Sequence, residues 1–283
     1  MRRVNFRAVS FGVLAITLLS GAICLGQTPP PKSNRAQTSR PKVPPKPEPQ
    51  DAPEQAAEAV SGPQWTSISV VRIKPEMVNE WVDLNKTTII PALKKAGVKS
   101  RDAWLTAQFG EAFEYLFVTP IENFGQYDGE SPIRKGLGEE AYKAYLEKVR
   151  RVVASVHTVA ARPRDDLSYN GKTTWPPKLV VLATIQVAQG RTADFEGLIK
   201  TDVLPAIKKV AGPGYFVNQT VLGGDINTFF TVTPYDTFAD IGKGAPLEKG
   251  MGDAGYSRFL RKTVGVIVRV DRTVYGFNPE LSF

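Results

Sequence analysis

Ile90-Pro91-Ala92-Leu93-Lys94-Lys95 returns 114 positions later as Leu204-Pro205-Ala206-Ile207-Lys208-Lys209. Extended outward from this segment, the same offset aligns residues 64–169 with residues 178–283 without a gap. Val118-Thr119-Pro120 falls on Val232-Thr233-Pro234, and the two Lys-Gly-x-Gly segments beginning at Lys135 and Lys249 coincide. A repeat this long indicates two copies of one domain, since solenoid units are about 20–50 residues long. The sequence predicts repeats at 64–170 and 171–283.

Each copy is predicted to form strands and helices in the order β-α-β-β-α-β. In the first copy, a β-branched run at residues 66–73 precedes a helical pattern at residues 76–97. Two strands flank Gly110, and a second helix at residues 139–155 leads into a last strand. Pro91 and Pro205 interrupt the first helical pattern in both copies, so we expect a kink or a break there.

That order predicts an α+β fold built from two ferredoxin-like units. The strands carry apolar or aromatic residues on both faces, as in Trp104-Leu105 and Phe229-Phe230. Because helices cover only one face of such a sheet, we expect the second face of each sheet to be buried against the other copy. The two units would then pack sheet to sheet as an intramolecular dimeric barrel.

The element order and the two Pro-Ala-Leu/Ile segments resemble the dimeric α/β-barrel superfamily, which includes antibiotic-biosynthesis-monooxygenase-like and NIPSNAP-like domains. The resemblance covers the whole chain from Gln64 onward. It implies a central cavity between the units and is weak for activity, because one fold hosts many reactions. Haem-binding members ligate iron through a histidine, which makes His157 the one haem-ligand candidate; a lone histidine without companion ligands favours a structural role. No cofactor and no metal are predicted.

The segment before the repeats differs in composition. Residues 1–27 predict a signal peptide, with Arg2, Arg3 and Arg7 before an apolar stretch too short for a stable membrane span. An uncleaved anchor and lipidation at Cys24, the only cysteine, are the alternatives. Residues 28–63 hold ten of the 22 prolines and predict a disordered linker. We therefore expect an exported protein, periplasmic or extracellular.

Charge and residue types exclude several classes of function. The net charge is +8, but half of it belongs to residues 1–63, and the remaining basic residues are scattered, so nucleic acid is not an expected partner. One histidine and no cysteine beyond Cys24 leave most hydrolytic and zinc chemistries without their groups. The repeats are expected to pair with each other, and the chain shows no recognisable catalytic set.

The sequence favours binding of a small apolar or aromatic molecule between the repeats. Polar and aromatic residues on predicted strands are the candidate ligand-binding set: Arg72, Trp104, Gln108, Tyr115, His157, Gln186 and Asn218. Such scattered polar groups on apolar walls are typical of ligand cavities. Arg72 could instead meet an internal carboxylate such as Glu114. A monooxygenase-like enzyme without a cofactor, relying on Trp104 and Asn218, and a non-catalytic structural module with fully packed sheets remain the alternatives.

Overall fold

The computed structural model describes residues 65–283, so the predicted signal peptide and linker lie outside the described residues. Below, "first half" means residues 65–170 and "second half" means residues 171–283. Each half runs strand, helix, strand, strand, helix, strand, the order that the sequence predicted. The strands are β1 Trp65–Ile73, β2 Asp102–Thr106, β3 Glu114–Ile121, β4 Val153–Pro163, β5 Leu179–Val187, β6 Phe216–Leu222, β7 Thr228–Tyr235 and β8 Ile267–Phe277.

The eight strands form one closed antiparallel barrel in the order β1-β3-β2-β8-β5-β7-β6-β4. Within the halves, β1 lies between β3 and β4, and β5 lies between β7 and β8. The halves meet where β2 pairs with β8 and where β4 pairs with β6. The sequence predicted two sheets facing each other; in the structure their edges also join by backbone hydrogen bonds, which removes the open edges at those two seams.

The helices cover the outside of the barrel. In the second half, Pro246–Thr263 consists of two helical segments that meet at a kink at Gly252, where φ is 66° and ψ is 167°. The helices are α1 Val78–Leu84, α2 Ile90–Lys95, α3 Pro132–Leu137, α4 Glu139–Val152, α5 Thr192–Leu198, α6 Leu204–Lys209, α7 Phe238–Gly242 and α8 Pro246–Thr263.

The helix that contains Pro91 continues through a π-helical segment, Asn85–Ile89, before α2 begins. The second half repeats this feature with the π-helical segment Ile199–Val203 ahead of Pro205. A proline lacks the N–H that an α-helix interior needs, and a π segment re-spaces the hydrogen bonds around it. The α-helical hydrogen bonding is therefore interrupted by a π-helical segment in both halves, where the sequence predicted a kink or a break at the proline.

The Lys-Gly-x-Gly segments serve packing as well as backbone conformation. Gly138, the second glycine of the first copy, has φ of 78°, as the prediction of unusual backbone angles requires. The first glycines, Gly136 and Gly250, are helical and lie directly on the backbone of the preceding helix. A Cβ at either position would collide with the carbonyl group of Ala92 or Ala206. These glycines let α3 approach α2, and α8 approach α6.

Strand residues are buried on both faces, as the sequence predicted. In β3, Tyr115 belongs to a core beneath the first-half helices, whereas Leu116 belongs to a core inside the barrel. In β7, Phe229 and Phe230 divide in the same way. Side chains alternate along a strand, so one strand supplies both layers. The inner core is built mainly from Ile68, Trp104, Leu116, Val159, Ala161, Val180, Leu182 and Tyr275.

Short segments after β4 and β8 complete the core of the opposite half. Leu167, which follows β4, is fully buried in the core of the second half. Leu281, which follows β8, is fully buried in the core of the first half. Backbone hydrogen bonds fix both segments, between Tyr169 and Tyr215 and between Phe283 and Arg101. Each half therefore depends on the other for part of its core.

Candidate functional site

A cavity lies in the second half, between the helices and the outer face of the sheet. Its volume is about 550 Å³, within the usual range for a small-molecule site. It is not the cavity inside the barrel that the sequence predicted, because the inner core occupies that space. Most of its wall is apolar and comes from β5, α5, α6 and α8, including Val181, Ala183, Ile185, Phe195, Leu198, Ile199, Val203, Ile207, Leu247, Tyr256, Phe259 and Leu260.

A small number of polar side chains interrupt this wall. Tyr215 precedes β6, Thr231 and Tyr235 belong to β7, Glu248 lies in the first turn of α8, and Arg272 lies on β8. Their convergence on an apolar space is the arrangement that orients ligands in known sites. The cavity can therefore hold an apolar body and offer hydrogen bonds and charge at its rim.

Burial raises the pKa of both tyrosines that line the cavity. Burial raises the pKa of Tyr215 to about 12, while the Thr231 hydroxyl and the positive charge of Arg272 act weakly in the opposite direction. Burial also raises the pKa of Tyr235; Arg272 lowers it and Glu248 raises it. At neutral pH both phenols are hydrogen-bond donors, as unperturbed phenols also are.

The equivalent space in the first half is filled. Phe117 stands where the second half has Thr231, and Arg101 stands where it has Tyr215. Arg101 is only 6% exposed, and its guanidinium lies 4.5 Å from the centre of the Phe117 ring. It donates hydrogen bonds to the Asn85 side chain at 3.1 Å and to the Leu281 carbonyl at 3.0 Å. Burial lowers the pKa of Arg101 to about 10, which still leaves it charged at neutral pH.

The first half also contributes one residue to the cavity of the second. Phe109 lies in the loop after β2, lines the cavity and packs edge-on against Phe238 of α7 at 6.3 Å. The preceding residue, Gln108, has φ of 64°, and the Phe109 amide donates to the Ala107 carbonyl. This is the strained form of a three-residue turn, held because Ala107 and Phe109 are both hydrogen-bonded to Val274 of β8.

None of the seven predicted site residues lines this cavity. Trp104 is 2% exposed inside the barrel, and its ring packs edge-on against Phe277 at 5.1 Å and Trp175 at 5.9 Å. Asn218 lies on β6 beside Phe230, in the register that faces the barrel interior. The sequence predicted that these two side chains line an open cavity between the repeats. The Trp104 ring is instead packed on all sides.

Arg72 makes the internal ion pair that the sequence offered as one of its two readings. Its Nε donates to Glu114 at 2.9 Å, and the other oxygen of Glu114 accepts from the Tyr275 hydroxyl at 2.6 Å. Glu114 is 5% exposed, whereas the Arg72 side chain is half exposed. The arginine thus neutralises a buried carboxylate at one end of the barrel.

The other predicted residues are separated from one another. Gln186 is engaged locally: it donates to Asp225 at 2.7 Å and accepts from Thr228 at 2.8 Å. Tyr115 is buried under the first-half helices, stacked on Phe117, and the side chain of Gln108 is exposed. The structure therefore does not bring the predicted set together.

The haem hypothesis does not fit the described cavity. His157 is exposed on β4 opposite Val70 and is not among the cavity residues. The cavity wall therefore offers no imidazole to an iron. Across residues 65–283 there is no group of three or more His, Cys, Asp or Glu side chains placed to hold a metal ion.

The residues missed from the sequence share one signal, a mismatch between the copies on the helix-facing side of the strands. Tyr215 replaces Arg101, Thr231 replaces Phe117, and Arg272 replaces Thr158. The mismatches chosen from the sequence, such as Trp104 against Asn218, lie on the barrel-facing side. Both faces are apolar, so the alternation of residues alone did not distinguish them.

Comparison with known proteins supports the fold. No family model matches the chain, and no curated protein gives a significant match. A candidate monooxygenase from Fusobacterium nucleatum is similar at 10% identity, with a TM-score of 0.51, over 77% of this chain and 93% of its own. An anthrone oxidase-like protein is similar at 11% identity, also with a TM-score of 0.51, over 76% of this chain and 91% of its own.

A mutant chlorite dismutase from Candidatus Nitrospira defluvii is more distant, at 7% identity and a TM-score of 0.49, over 77% of this chain and 92% of its own. The similarities to the candidate monooxygenase and the anthrone oxidase-like protein are consistent with the dimeric α/β-barrel fold and extend no further than fold. Within residues 65–283, none of the helices has the length and apolar content needed to span a bilayer.

Proposed function

We propose that the second half of this protein binds a small apolar or aromatic molecule in the cavity between its helices and its sheet. The observation that carries the proposal is the difference between the halves. The two halves share one fold, but Phe117 and Arg101 fill this space in the first half, whereas it is open in the second half. An apolar space of about 550 Å³ with a few polar side chains is typical of small-molecule sites, which favours a ligand over a structural role.

We propose binding without assigning a reaction. The names of the structural neighbours suggest oxidation, but similarity at 10% and 11% identity supports a fold and not an activity. Trp104 and Asn218, which the oxygenase hypothesis required, do not line the cavity. The alternative of a purely structural module required fully packed sheets, and the barrel interior is packed as that alternative requires. The open cavity between the sheet and the helices of the second half favours binding instead.

The domain organisation belongs to the same proposal. We propose that residues 64–170 and 171–283 are tandem ferredoxin-like units paired within one chain, which the corresponding places of β4 and β8 in the barrel support. The crossed positions of Leu167 and Leu281 support it as well. The composition of residues 1–63 supports an exported protein with a proline-rich linker.

A binding experiment tests the proposed site. The protein is titrated with N-phenylnaphthylamine, a neutral aromatic probe whose fluorescence rises in an apolar environment. Ala183 is 8% exposed and lines the cavity from β5, so Ala183→Trp should occupy the space and abolish the fluorescence increase. Ser69 is the equivalent residue of the first half, and Ser69→Trp is the matched control that should leave binding unchanged.

Two outcomes would contradict the proposal: absence of binding to the unmodified protein, or equal loss in both tryptophan variants. Native mass spectrometry of protein purified from its own organism is the complementary measurement. It should show a retained small molecule that is absent from Ala183→Trp prepared in the same way.

A further inference from the structure

Arg272 is the one arginine in the cavity wall, and it lies in an otherwise apolar row. Val270, Arg272 and Val274 alternate along β8 on the side that faces the helices, and all three line the cavity. The residue directly opposite Arg272 on β5 is Ala183. Arg272 is exposed, so its guanidinium is accessible to a bound group.

Arg272 makes no ion pair with any residue in the 65–283 range. Its neighbour on the same strand, Arg269, is paired with Asp271 at 2.6 Å on the other side of the sheet. The ionisable groups on which Arg272 acts are the phenols of Tyr215 and Tyr235, which are neutral. The cavity therefore presents a positive charge that the described residues leave without a counter-ion.

The first half carries an uncharged residue at the position equivalent to Arg272. Its equivalent of Arg272 is Thr158, and its equivalent of Ala183 is Ser69. These two hydroxyls are hydrogen-bonded to each other at 2.9 Å. In the first half the two hydroxyl groups thus bind each other, whereas in the second half the guanidinium of Arg272 lies opposite a methyl group that cannot bind it. The change coincides with the half in which the cavity is open.

We infer that the ligand is an acid whose apolar or aromatic body occupies the cavity and whose carboxylate, sulfonate or phenolate binds the guanidinium of Arg272. Arginine suits this role because its planar fork can donate two parallel hydrogen bonds to such a group. Glu248 lines the cavity from α8 and has no ion-pair partner within residues 65–283. Glu248 and Arg272 both act on the Tyr235 phenol, so the negative charge of Glu248 disfavours a second acid group in the cavity and a monoacid fits best. The inference rests on the proposed function.

Two probes with similar aromatic bodies test the inference. Anilinonaphthalene sulfonate carries one negative charge, and N-phenylnaphthylamine carries none. Arg272→Gln should weaken binding of the sulfonate about tenfold, as loss of one charge-assisted hydrogen-bonded pair predicts. Binding of the neutral probe should change less than about twofold, because its apolar contacts remain. Arg269→Gln removes a charge from the same strand outside the cavity and should change neither affinity.

Arg272→Lys keeps the charge and loses the fork, so its affinity for the sulfonate should lie between those of the unmodified protein and Arg272→Gln. Thermal melts of each variant verify that it is folded. Equal weakening of both probes by Arg272→Gln, or no weakening of the sulfonate, would overturn the inference. Failure of the unmodified protein to bind either probe would instead overturn the proposed function, so the two failures are distinct.

Discussion

Thr231→Phe should close the cavity and make the protein more stable. Thr231 is 5% exposed, lies opposite Ala183 on β5 and lines the cavity. The first half carries Phe117 at the equivalent position, where the ring is 6% exposed and packs against the Arg101 guanidinium at 4.5 Å. The substitution therefore copies into the second half a residue that the same fold already accommodates.

The magnitude follows from two opposing contributions. Burying a phenylalanine side chain stabilises by about 1.5–3 kcal/mol. Losing the Thr231 hydroxyl, which contacts the Tyr215 phenol, costs about 0.5–1.5 kcal/mol. The net gain is about 1 kcal/mol, which corresponds to a rise of about 2–4 °C in the melting temperature of a folded region of this size.

Thr220→Phe is the matched control. Thr220 is 2% exposed, but it lies on β6 opposite Ala161, which belongs to the filled inner core. Adding a ring where no space exists costs about 1–3 kcal/mol, so this variant should melt at a lower temperature. Differential scanning calorimetry measures both variants, and titration with N-phenylnaphthylamine should show lost binding for Thr231→Phe alone. If Thr231→Phe melts lower, as the control does, and still binds the probe, the assignment of an open cavity is wrong.

Other substitutions test the packing and the ionisation of the structure. Arg72→Met should lower the free energy of unfolding by about 1–3 kcal/mol in urea denaturation, because it leaves the buried Glu114 carboxylate without its cation. Adding Glu114→Gln to this variant should restore part of the lost stability, and strictly additive losses would disprove the pairing. Gly250→Ala should be strongly destabilising because its Cβ collides with the backbone of α6. Gly197→Ala in α5, where a Cβ meets no other atom, should raise the melting temperature, since alanine stabilises a helix by about 0.5–1 kcal/mol relative to glycine. Equal effects of the two substitutions would contradict the close helix contact. Burial raises the pKa of Tyr215 to about 12, so the stability that its neutral form contributes is complete below pH 10 and is lost as the pH rises to 12. In Tyr215→Phe the free energy of unfolding should therefore fall less steeply between these pH values. An unchanged slope would show that the phenol is not shielded from water.

Much of the architecture could be predicted from the sequence because it depends on local pattern and on repetition. The β-branched run predicted as a strand at residues 66–73 corresponds to β1, Trp65–Ile73. The interruption at Pro91 and Pro205 followed from the missing N–H of proline. The pairing of Arg72 with Glu114 was one of two readings, because a charge among apolar strand residues needs a partner.

The site could not be located in this way. Alternation shows that neighbouring residues such as Phe229 and Phe230 face opposite sides of a strand, but not which side meets helices and which meets the barrel interior. The prediction placed the ligand on the inner side, where Trp104 and its neighbours in fact fill the space.

By itself the sequence determined a doubled β-α-β-β-α-β chain with strands buried on both faces, because periodicity and repetition are properties of the chain alone. Only the tertiary structure decided which of the two layers is open and in which half. That depends on how Phe117 and Arg101 fill a volume that Thr231 and Tyr215 leave free. Volume is shared among residues distant in sequence, and so it exists only once the helices, the sheet and the crossed segments around Leu167 and Leu281 have packed.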